Sequence, residues 1–209
     1  MTVEDIEQEV ANLDPQQWLA QIPQRGYGTI LADPPWRFAN RGIRPAPEHR
    51  QTFHYQTLPL AAICAMPIGQ IAAAQSHVYL WIPMALIQEG LQVLSAWGFA
   101  YKTMLIWEKI RKDGQPHGGG TGWYFRCCTE AVLFGTRGRL RTLAPGRRQV
   151  NLLREPKRDH SRKPEGLYPV IEACSPSPRL ELFGRGVARK GWDVWGNEIE
   201  TAARAAADV

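Results

Sequence analysis

The chain has 209 residues, of which 44% are hydrophobic, and a formal net charge of +5. This length suits one domain with a full hydrophobic core, and no run of about 18 apolar residues predicts a membrane-spanning helix. The acidic start MTVEDIEQEV is unlike a secretion signal, so we expect a cytoplasmic protein with no membrane partner. The four cysteines form no C-x-x-C pair and the five histidines lack ligand spacing, so we expect reduced cysteines and no metal.

The elements in chain order alternate between strand and helix signals. We expect residues 1–209 to form a single domain, with 1–20 as a helical extension and 201–209 as a fraying tail. Apolar runs predict strands at 27–32, 76–82, 99–109, 129–136 and 179–184, and a short one in GWDVWG. Pro83 and the apolar spacing after it predict a helix that Gly98 ends, and residues 163–174 predict another with Pro164 in its first turn.

This alternation predicts an α/β fold with a doubly wound, mainly parallel sheet covered on both faces. In such sheets, ligands bind outside the carboxyl ends of the strands. Asp33, Lys109 and Gly184 all fall at predicted strand ends. We therefore expect the functional site at that edge.

The motif Asp33-Pro34-Pro35-Trp36 follows the first predicted strand. The prolines fix φ and offer no N–H, so this corner presents acceptors: the Asp33 carboxylate and the Pro34 carbonyl, beside an indole. Two acceptors and a π-face match an amino group on an aromatic ring, with the indole stacking on that ring. The alternative is structural, with Asp33 capping a turn and Trp36 in the core. Residue types alone leave both readings open.

A basic segment, residues 137–163, follows the fourth predicted strand. It contains ten Lys or Arg residues against Glu155 and Asp159. Such a segment favours a polyanion, although a solvated loop without a partner has the same composition.

Seven ordered blocks carry a resemblance to a known family. They are LADPPW (31–36), LWIP (80–83), AWGF-YKT-L-WEK (96–109), G-GTG-Y-R---E--LFG--G (118–138), SRKPEGLYPVIE (161–172), LELFGR (180–185) and GW--WGNE (191–198). Over roughly residues 20–200, the chain resembles the DPPW-type adenine-N6 methyltransferases. That family includes the catalytic subunit of the eukaryotic mRNA adenosine methyltransferase and many bacterial and phage enzymes.

The resemblance implies a Rossmann-like, class I S-adenosylmethionine-dependent methyltransferase with the catalytic motif ahead of the cofactor motif. It makes Asp33, Pro34, Pro35 and Trp36 the catalytic corner that holds the N6 amine of adenine. Its implied cofactor residues are Ile22, Asp33, Lys163, Phe183, Arg185, Asn197 and Glu198. Lys163 would hold the methionine carboxylate, and Asn197 with Glu198 the ribose hydroxyls. The alternative for Lys163 is a solvent-exposed lysine in a basic loop. The alternative for Asn197 and Glu198 is an N-cap of a last helix.

For the substrate, Tyr55, Tyr124 and Glu130 are candidate pocket residues, with Tyr55 equally compatible with a packed aromatic. Arg147 and Arg148 are candidate phosphate contacts, because loops 37–57, 110–122 and 137–160 are expected to flank the site. DNA is favoured, since the compact chain resembles the bacterial and phage branch.

Four alternatives to methylation of DNA remain. They are methylation of adenine in RNA, a catalytically silent nucleic-acid-binding subunit, and methylation of a small molecule or of a protein amide. A homodimer or a partner subunit would supply target recognition.

Overall fold

The computed structural model describes residues 20, 22–37, 57–118, 124–144, 146–157, 162–186, 188–196 and 198–199. Nearly all of the expected extension (1–20) and the whole expected tail (201–209) lie outside these ranges. The strands are β1 Tyr27–Ala32, β2 Ala72–Ile82, β3 Ala100–Ile110, β4 Thr129–Arg137, β5 Leu152–Pro156, β6 Arg179–Leu182, β7 Arg185–Gly186, β8 Trp192–Trp195 and β9 Glu198–Ile199. The helices are α1 Leu60–Ala65, α2 Ile68–Ile71, α3 Ile87–Ala96 and α4 Leu167–Cys174, with 3-10 turns at Met84–Leu86 and Gly146–Arg148.

Seven strands form one sheet in the order β5-β3-β4-β2-β1-β6-β8, and β7 pairs with β9. Within the large sheet, β1 is parallel to β2 and β6, β6 to β8, and β3 to β5. The exception is β4, which is antiparallel to both β2 and β3. The sheet is therefore mixed rather than simply doubly wound. The described part of the β3–β4 connection contains no helix, whereas parallel neighbours are usually joined through one, which agrees with an antiparallel pair.

Helices cover both faces of the sheet, as the alternation predicts. One hydrophobic cluster contains Ile63 of α1, Ile71 of α2 and Leu94 of α3. The other contains Leu167 and Ile171 of α4. All six residues of β1 are buried, as expected for a central strand between two helical layers.

Several boundaries differ from the predicted ones. β2 begins at Ala72 rather than residue 76, because its first residues, Ala-Ala-Ala-Gln, lack the β-branched signal. α4 begins at Leu167, after Gly166, so Pro164 precedes the helix. α1, α2 and β5 were not predicted, and β5 lies inside the basic segment. Within the described residues, no helix is both long and apolar enough to span a bilayer.

Candidate active site

A pocket lies at the carboxyl ends of β1, β2 and β6. Its lining residues come from β1 and the turn after it, from β2, from the start of α4 and from the end of β6. They are Leu31, Asp33, Trp81, Lys163, Pro164, Leu167, Tyr168, Glu181 and Phe183. This is the edge at which the strand pattern predicts a site.

The backbone around Asp33 is fixed on both sides. Asp33 N–H donates to the Leu182 carbonyl (3.3 Å), which ties the end of β1 to β6. Beyond it, Trp36 N–H donates to the Pro34 carbonyl (2.8 Å), and Leu58 N–H donates to the Pro35 carbonyl (2.9 Å). A carbonyl oxygen has two lone pairs, so the Pro34 oxygen can accept a second hydrogen bond.

Trp36 packs into the core below this corner. It is 8% exposed and belongs to the cluster that contains the side chains of α1 to α3. Its indole N–H donates to the Trp81 carbonyl (2.9 Å), which joins the corner to β2. The structural reading of Trp36 therefore holds, and its stacking on a substrate base stays a prediction.

Four charged side chains from four segments alternate in sign beside the pocket. Lys163 Nζ lies 3.2 Å from Asp33 Oδ1 and 3.1 Å from Glu130 Oε2. The other oxygen of Glu130 accepts a hydrogen bond from Lys109 Nζ at 2.5 Å. We call Asp33, Lys163, Glu130 and Lys109 the charge chain. Its side chains are 15 to 27% exposed, so water screens these attractions less than at the surface.

The charge chain keeps its inner members ionised. Burial lowers the pKa of Lys163, but the Asp33 and Glu130 carboxylates outweigh burial and raise that pKa above its ordinary value. Burial raises the pKa of Glu130, but Lys163 and Lys109 together bring it below its ordinary value. Both groups are therefore charged at neutral pH.

The pocket lining holds a second carboxyl group, that of Glu181, which was not among the predicted site residues. Tyr168 O–H donates to Glu181 Oε1 at 2.9 Å, and the Arg189 guanidinium lies 4.0 Å from the Tyr168 ring centre. Burial raises the pKa of Glu181 above its ordinary value; the Tyr168 hydrogen bond opposes this effect and the negative charge of Asp33 adds to it. Tyr168 lies in the block SRKPEGLYPVIE and Glu181 in the block LELFGR. The family-like blocks could therefore have identified both as site residues.

Phe183 reaches the pocket from an uncommon backbone conformation. Its φ is +62°, in the left-handed region that non-glycine residues rarely adopt, directly after β6. Gly184 N–H donates to the Trp195 carbonyl (3.1 Å), and a Cβ on Gly184 would lie 2.5 Å from Val194. The bend therefore needs glycine at 184. The Phe183 ring meets Trp195 edge-on, with 5.6 Å between ring centroids.

The remaining predicted cofactor residues are placed as follows. Ile22 is buried in the core, and its carbonyl accepts a hydrogen bond from the Gln24 side chain. Arg185 of β7 and Glu198 of β9 are register partners, so the backbone brings these two positions together. Asn197 and the substrate candidate Tyr55 lie outside the described residues. Their roles stay predictions.

The candidate substrate residues separate into two places. Glu130 belongs to the charge chain, whereas Tyr124 is 94% exposed and does not line the pocket.

Arg147 and Arg148 lie near the amino ends of the strands, because the antiparallel β4 delivers the chain there. Leu140 accepts a hydrogen bond from His77 on β2, and Gly146 accepts one from Cys174 at the end of α4. We expected the loop 137–160 to flank the pocket, but its residues Leu140 and Gly146 contact His77 and Cys174, away from the pocket edge. Among the described residues of the basic segment, the end of β5, which pairs with the end of β3, and Lys163 lie at the pocket edge.

The sequence of this chain also matches a known protein family. The MT-A70 family model matches residues 27–198. The chain belongs to the MT-A70 family.

Several known proteins are similar to most of this chain. The type II methyltransferase M.MunI of Mycoplasma sp is 29% identical over 195 residues, which are 86% of this chain and 80% of that protein. The probable N(6)-adenosine-methyltransferase MT-A70-like protein of Oryza sativa subsp. japonica is 28% identical over 83% of this chain. The human N(6)-adenosine-methyltransferase catalytic subunit METTL3 is 25% identical, also over 83%. The chain spans only 23% and 28% of the length of these two eukaryotic MT-A70 relatives.

Proposed function

We propose that this MT-A70 protein transfers the methyl group of S-adenosylmethionine to the N6 amine of adenine in DNA. The observation that carries the proposal is the corner at the end of β1. There the Asp33 carboxylate lines the pocket beside Lys163, and the Pro34 carbonyl is the next acceptor along the chain. The finer fold assignment, a Rossmann-like class I methyltransferase with its catalytic motif ahead of the cofactor motif, is part of the same proposal.

The lining of the pocket fits the chemistry of this cofactor. S-adenosylmethionine carries a carboxylate, an ammonium group, a positively charged sulfur and a flat adenine. The pocket offers the Lys163 ammonium, the Asp33 and Glu181 carboxyl groups, and the Phe183 ring. Lys163 already contacts two carboxylates, but an ammonium has three N–H donors and can bond a third acceptor. Ile22, Arg185, Asn197 and Glu198 remain the other proposed cofactor residues.

The corner activates a poor nucleophile. An exocyclic amine shares its lone pair with the aromatic ring, which keeps the nitrogen planar. Asp33 and the Pro34 carbonyl accept its two N–H bonds and draw the nitrogen towards a tetrahedral shape, with its lone pair aimed away from the ring. When bound, the cofactor supplies an electrophilic methyl group, and the electrons of the broken C–S bond stay on sulfur. The methylated nitrogen then loses one proton to a nearby acceptor or to water.

Lys163 positions Asp33 for this task. Its bond to Asp33 Oδ1 takes one of about four lone-pair directions that a carboxylate offers, so acceptor capacity remains for an amine. Glu130 and Lys109 complete a set of two positive and two negative charges. The charge chain therefore neutralises itself and holds the carboxylate in place without an external ion.

DNA is the proposed polynucleotide. The match to a type II methyltransferase extends over 80% of that protein, whereas the eukaryotic adenosine methyltransferases carry long regions that this chain does not match. An adenine stacked in a duplex cannot reach such a pocket, so the enzyme must take the base out of the stack or act on an unpaired one.

The test is incubation with labelled S-adenosylmethionine and matched single- and double-stranded DNA and RNA, followed by analysis of the nucleosides. We expect N6-methyladenine in DNA. Label in RNA alone would replace DNA with RNA in the proposal. Cofactor binding without label in any nucleic acid would contradict the proposal and favour a silent subunit or another amine substrate.

A further inference from the structure

Two adjacent aromatic side chains protrude from the connection before β4. Tyr124 is 94% exposed and Phe125 is 88% exposed. The other exposed large hydrophobic side chains of the described residues are 72% exposed or less. Exposing two neighbouring rings leaves apolar area in water, so such a pair marks a contact surface. We call these two residues the aromatic tip.

The base of the aromatic tip is fixed next to the charge chain. Cys128 accepts a backbone hydrogen bond from Lys109 N–H at 2.8 Å, and Thr129 pairs with Glu108 across β3 and β4. Tyr124 precedes Cys128 by four residues, so the chain allows their Cα atoms to be at most about 14 Å apart. From Glu130 the charge chain reaches Asp33 through Lys163. The tip therefore lies within about 14 Å of Cys128, two residues before Glu130 of the charge chain.

The charges around the aromatic tip favour an anionic partner. Arg126, the next residue, is exposed and donates to the Gly118 carbonyl at 3.2 Å. Lys112 is also exposed. The nearby carboxylate of Asp113 is already paired with Arg111 at 2.7 Å. Within the described residues, neither Arg126 nor Lys112 forms an ion pair, and aromatic faces beside such cations are the combination that binds the bases and phosphates of a nucleic acid strand.

We propose that the aromatic tip stacks on a base next to the target adenine and occupies the gap that the extruded adenine leaves. This proposal rests on the proposed function. It adds how the protein keeps the DNA open while the adenine is extruded. Extruding a base removes the stacking partner of its neighbours, and an aromatic side chain restores one. Tyr124 thus contacts the substrate outside the catalytic pocket rather than inside it.

A second copy of the protein fits the aromatic tip less well. Two aromatic side chains bury at most about 500 Å² on one copy, less than the roughly 800 Å² that each partner contributes to a standard interface. The exposed cations around the tip would also have to find carboxylates on the partner copy, whereas a phosphate backbone supplies negative charge at every nucleotide. Size therefore favours a base over a protein surface.

The experiment compares three variants with the wild type. Tyr124→Ala with Phe125→Ala removes both rings, and Tyr124→Phe with Phe125→Tyr keeps them. Tyr101→Ala is the matched control, because Tyr101 is an exposed aromatic (40%) at the beginning of β3, the opposite end of that strand from Lys109. The probe is a DNA duplex with 2-aminopurine at the target position, whose fluorescence rises when the base leaves the stack. Cofactor affinity, DNA affinity and the KM for DNA are measured in parallel.

We expect the double alanine variant to weaken DNA affinity by roughly 5- to 150-fold, which is the range for losing one stacked base. It should also lose most of the fluorescence rise while cofactor affinity stays unchanged. The ring-keeping variant and Tyr101→Ala should resemble the wild type.

Wild-type fluorescence and DNA affinity in the double alanine variant would overturn the inference. A wild-type dimer that the same substitutions dissociate, with unchanged affinity for DNA, would overturn it in favour of a protein interface. Failure of the proposed function is seen separately, as absence of methylation by the wild type. The affinity measurement needs no turnover, so unchanged DNA affinity in the double alanine variant overturns the role of the aromatic tip whether or not the wild type methylates.

Discussion

Lys163 Nζ lies 3.2 Å from Asp33 Oδ1, joining two residues that are far apart in the sequence and lie in different motifs. Asp33 directly follows β1, Lys163 precedes α4, and both line the pocket. The proposed amine-binding corner and the proposed cofactor lysine are therefore one electrostatic unit. A change in either residue alters the environment of the other.

Replacing Lys163 with Met tests this unit. The variant keeps most of the side-chain volume but leaves Asp33 and Glu130 without their shared cation, so we expect turnover to fall about 100-fold or more. Lys163→Arg, which keeps the charge, should lose less. Steady-state kinetics and calorimetric titration with the cofactor separate the two roles of the lysine. Unchanged turnover and unchanged cofactor affinity in Lys163→Met would contradict both.

Glu130 should make stability depend on pH. Its pKa in the folded protein lies below the ordinary value of 4.5, so its stabilising effect is present above that pH and is lost as the pH falls through the lower folded value. Thermal unfolding of the wild type should thus lose stability on acidification below about pH 4.5. Glu130→Gln should be less stable at pH 7 and should show a shallower acid dependence. Parallel curves for the two proteins would contradict the charge chain.

Trp36→Phe separates the structural and substrate roles of the tryptophan. The phenyl ring keeps an apolar side chain in the core but leaves the Trp81 carbonyl without its indole donor. We expect the free energy of unfolding to fall by about 1–3 kcal/mol, the cost of an unsatisfied buried group. Denaturant unfolding measures this change. Full stability combined with a large rise in the KM for DNA would instead assign Trp36 to the substrate.

The position of Arg147 and Arg148 predicts an effect that depends on DNA length. On β2, His77, which contacts Leu140, lies four residues or about 13 Å from the pocket residue Trp81 along the strand, and Arg147 and Arg148 follow Leu140 on that side. Arg147→Ala with Arg148→Ala should raise the KM for a duplex of about 25 base pairs and reduce the salt dependence of binding. The KM for a duplex with about three base pairs beyond the adenine should not change.

Arg162→Ala is the contrasting variant, because residue 162 directly precedes the pocket residue Lys163. It should raise the KM for both duplexes. Equal effects of the arginine pair on short and long duplexes would place Arg147 and Arg148 at the reacting base instead.

Local sequence patterns predicted strands whose bounds depend on neighbouring residues, such as β1. The bounds of β1 are as predicted because a short run of buried residues is flanked by Gly26 and Asp33, which end it on both sides. The direction of β4 was not predictable from periodicity, since a strand shows the same alternation whichever way it runs. That direction is also what moves Arg147 and Arg148 to the far edge.

The candidate site was predicted as separate residues rather than as a network. Asp33 and Lys163 were each identified through a motif, but their contact depends on the pairing of β1 with β6 and on the position of α4. Glu181 was overlooked because a glutamate inside a strand resembles a solvent-facing residue. Its role emerges only when α4 places the Tyr168 hydroxyl against it.

The measurement that tests the account most directly is the activity of Asp33→Asn. The amide keeps the shape of the carboxylate but supplies a weaker acceptor and no negative charge for Lys163, so we expect a folded protein whose methyl transfer to DNA falls by about 100- to 1,000-fold or more. Transfer of label from S-adenosylmethionine to adenine in DNA measures this, with thermal unfolding as the control for folding. Near-normal transfer by a folded Asp33→Asn protein would contradict the assignment of Asp33 to the reacting amine.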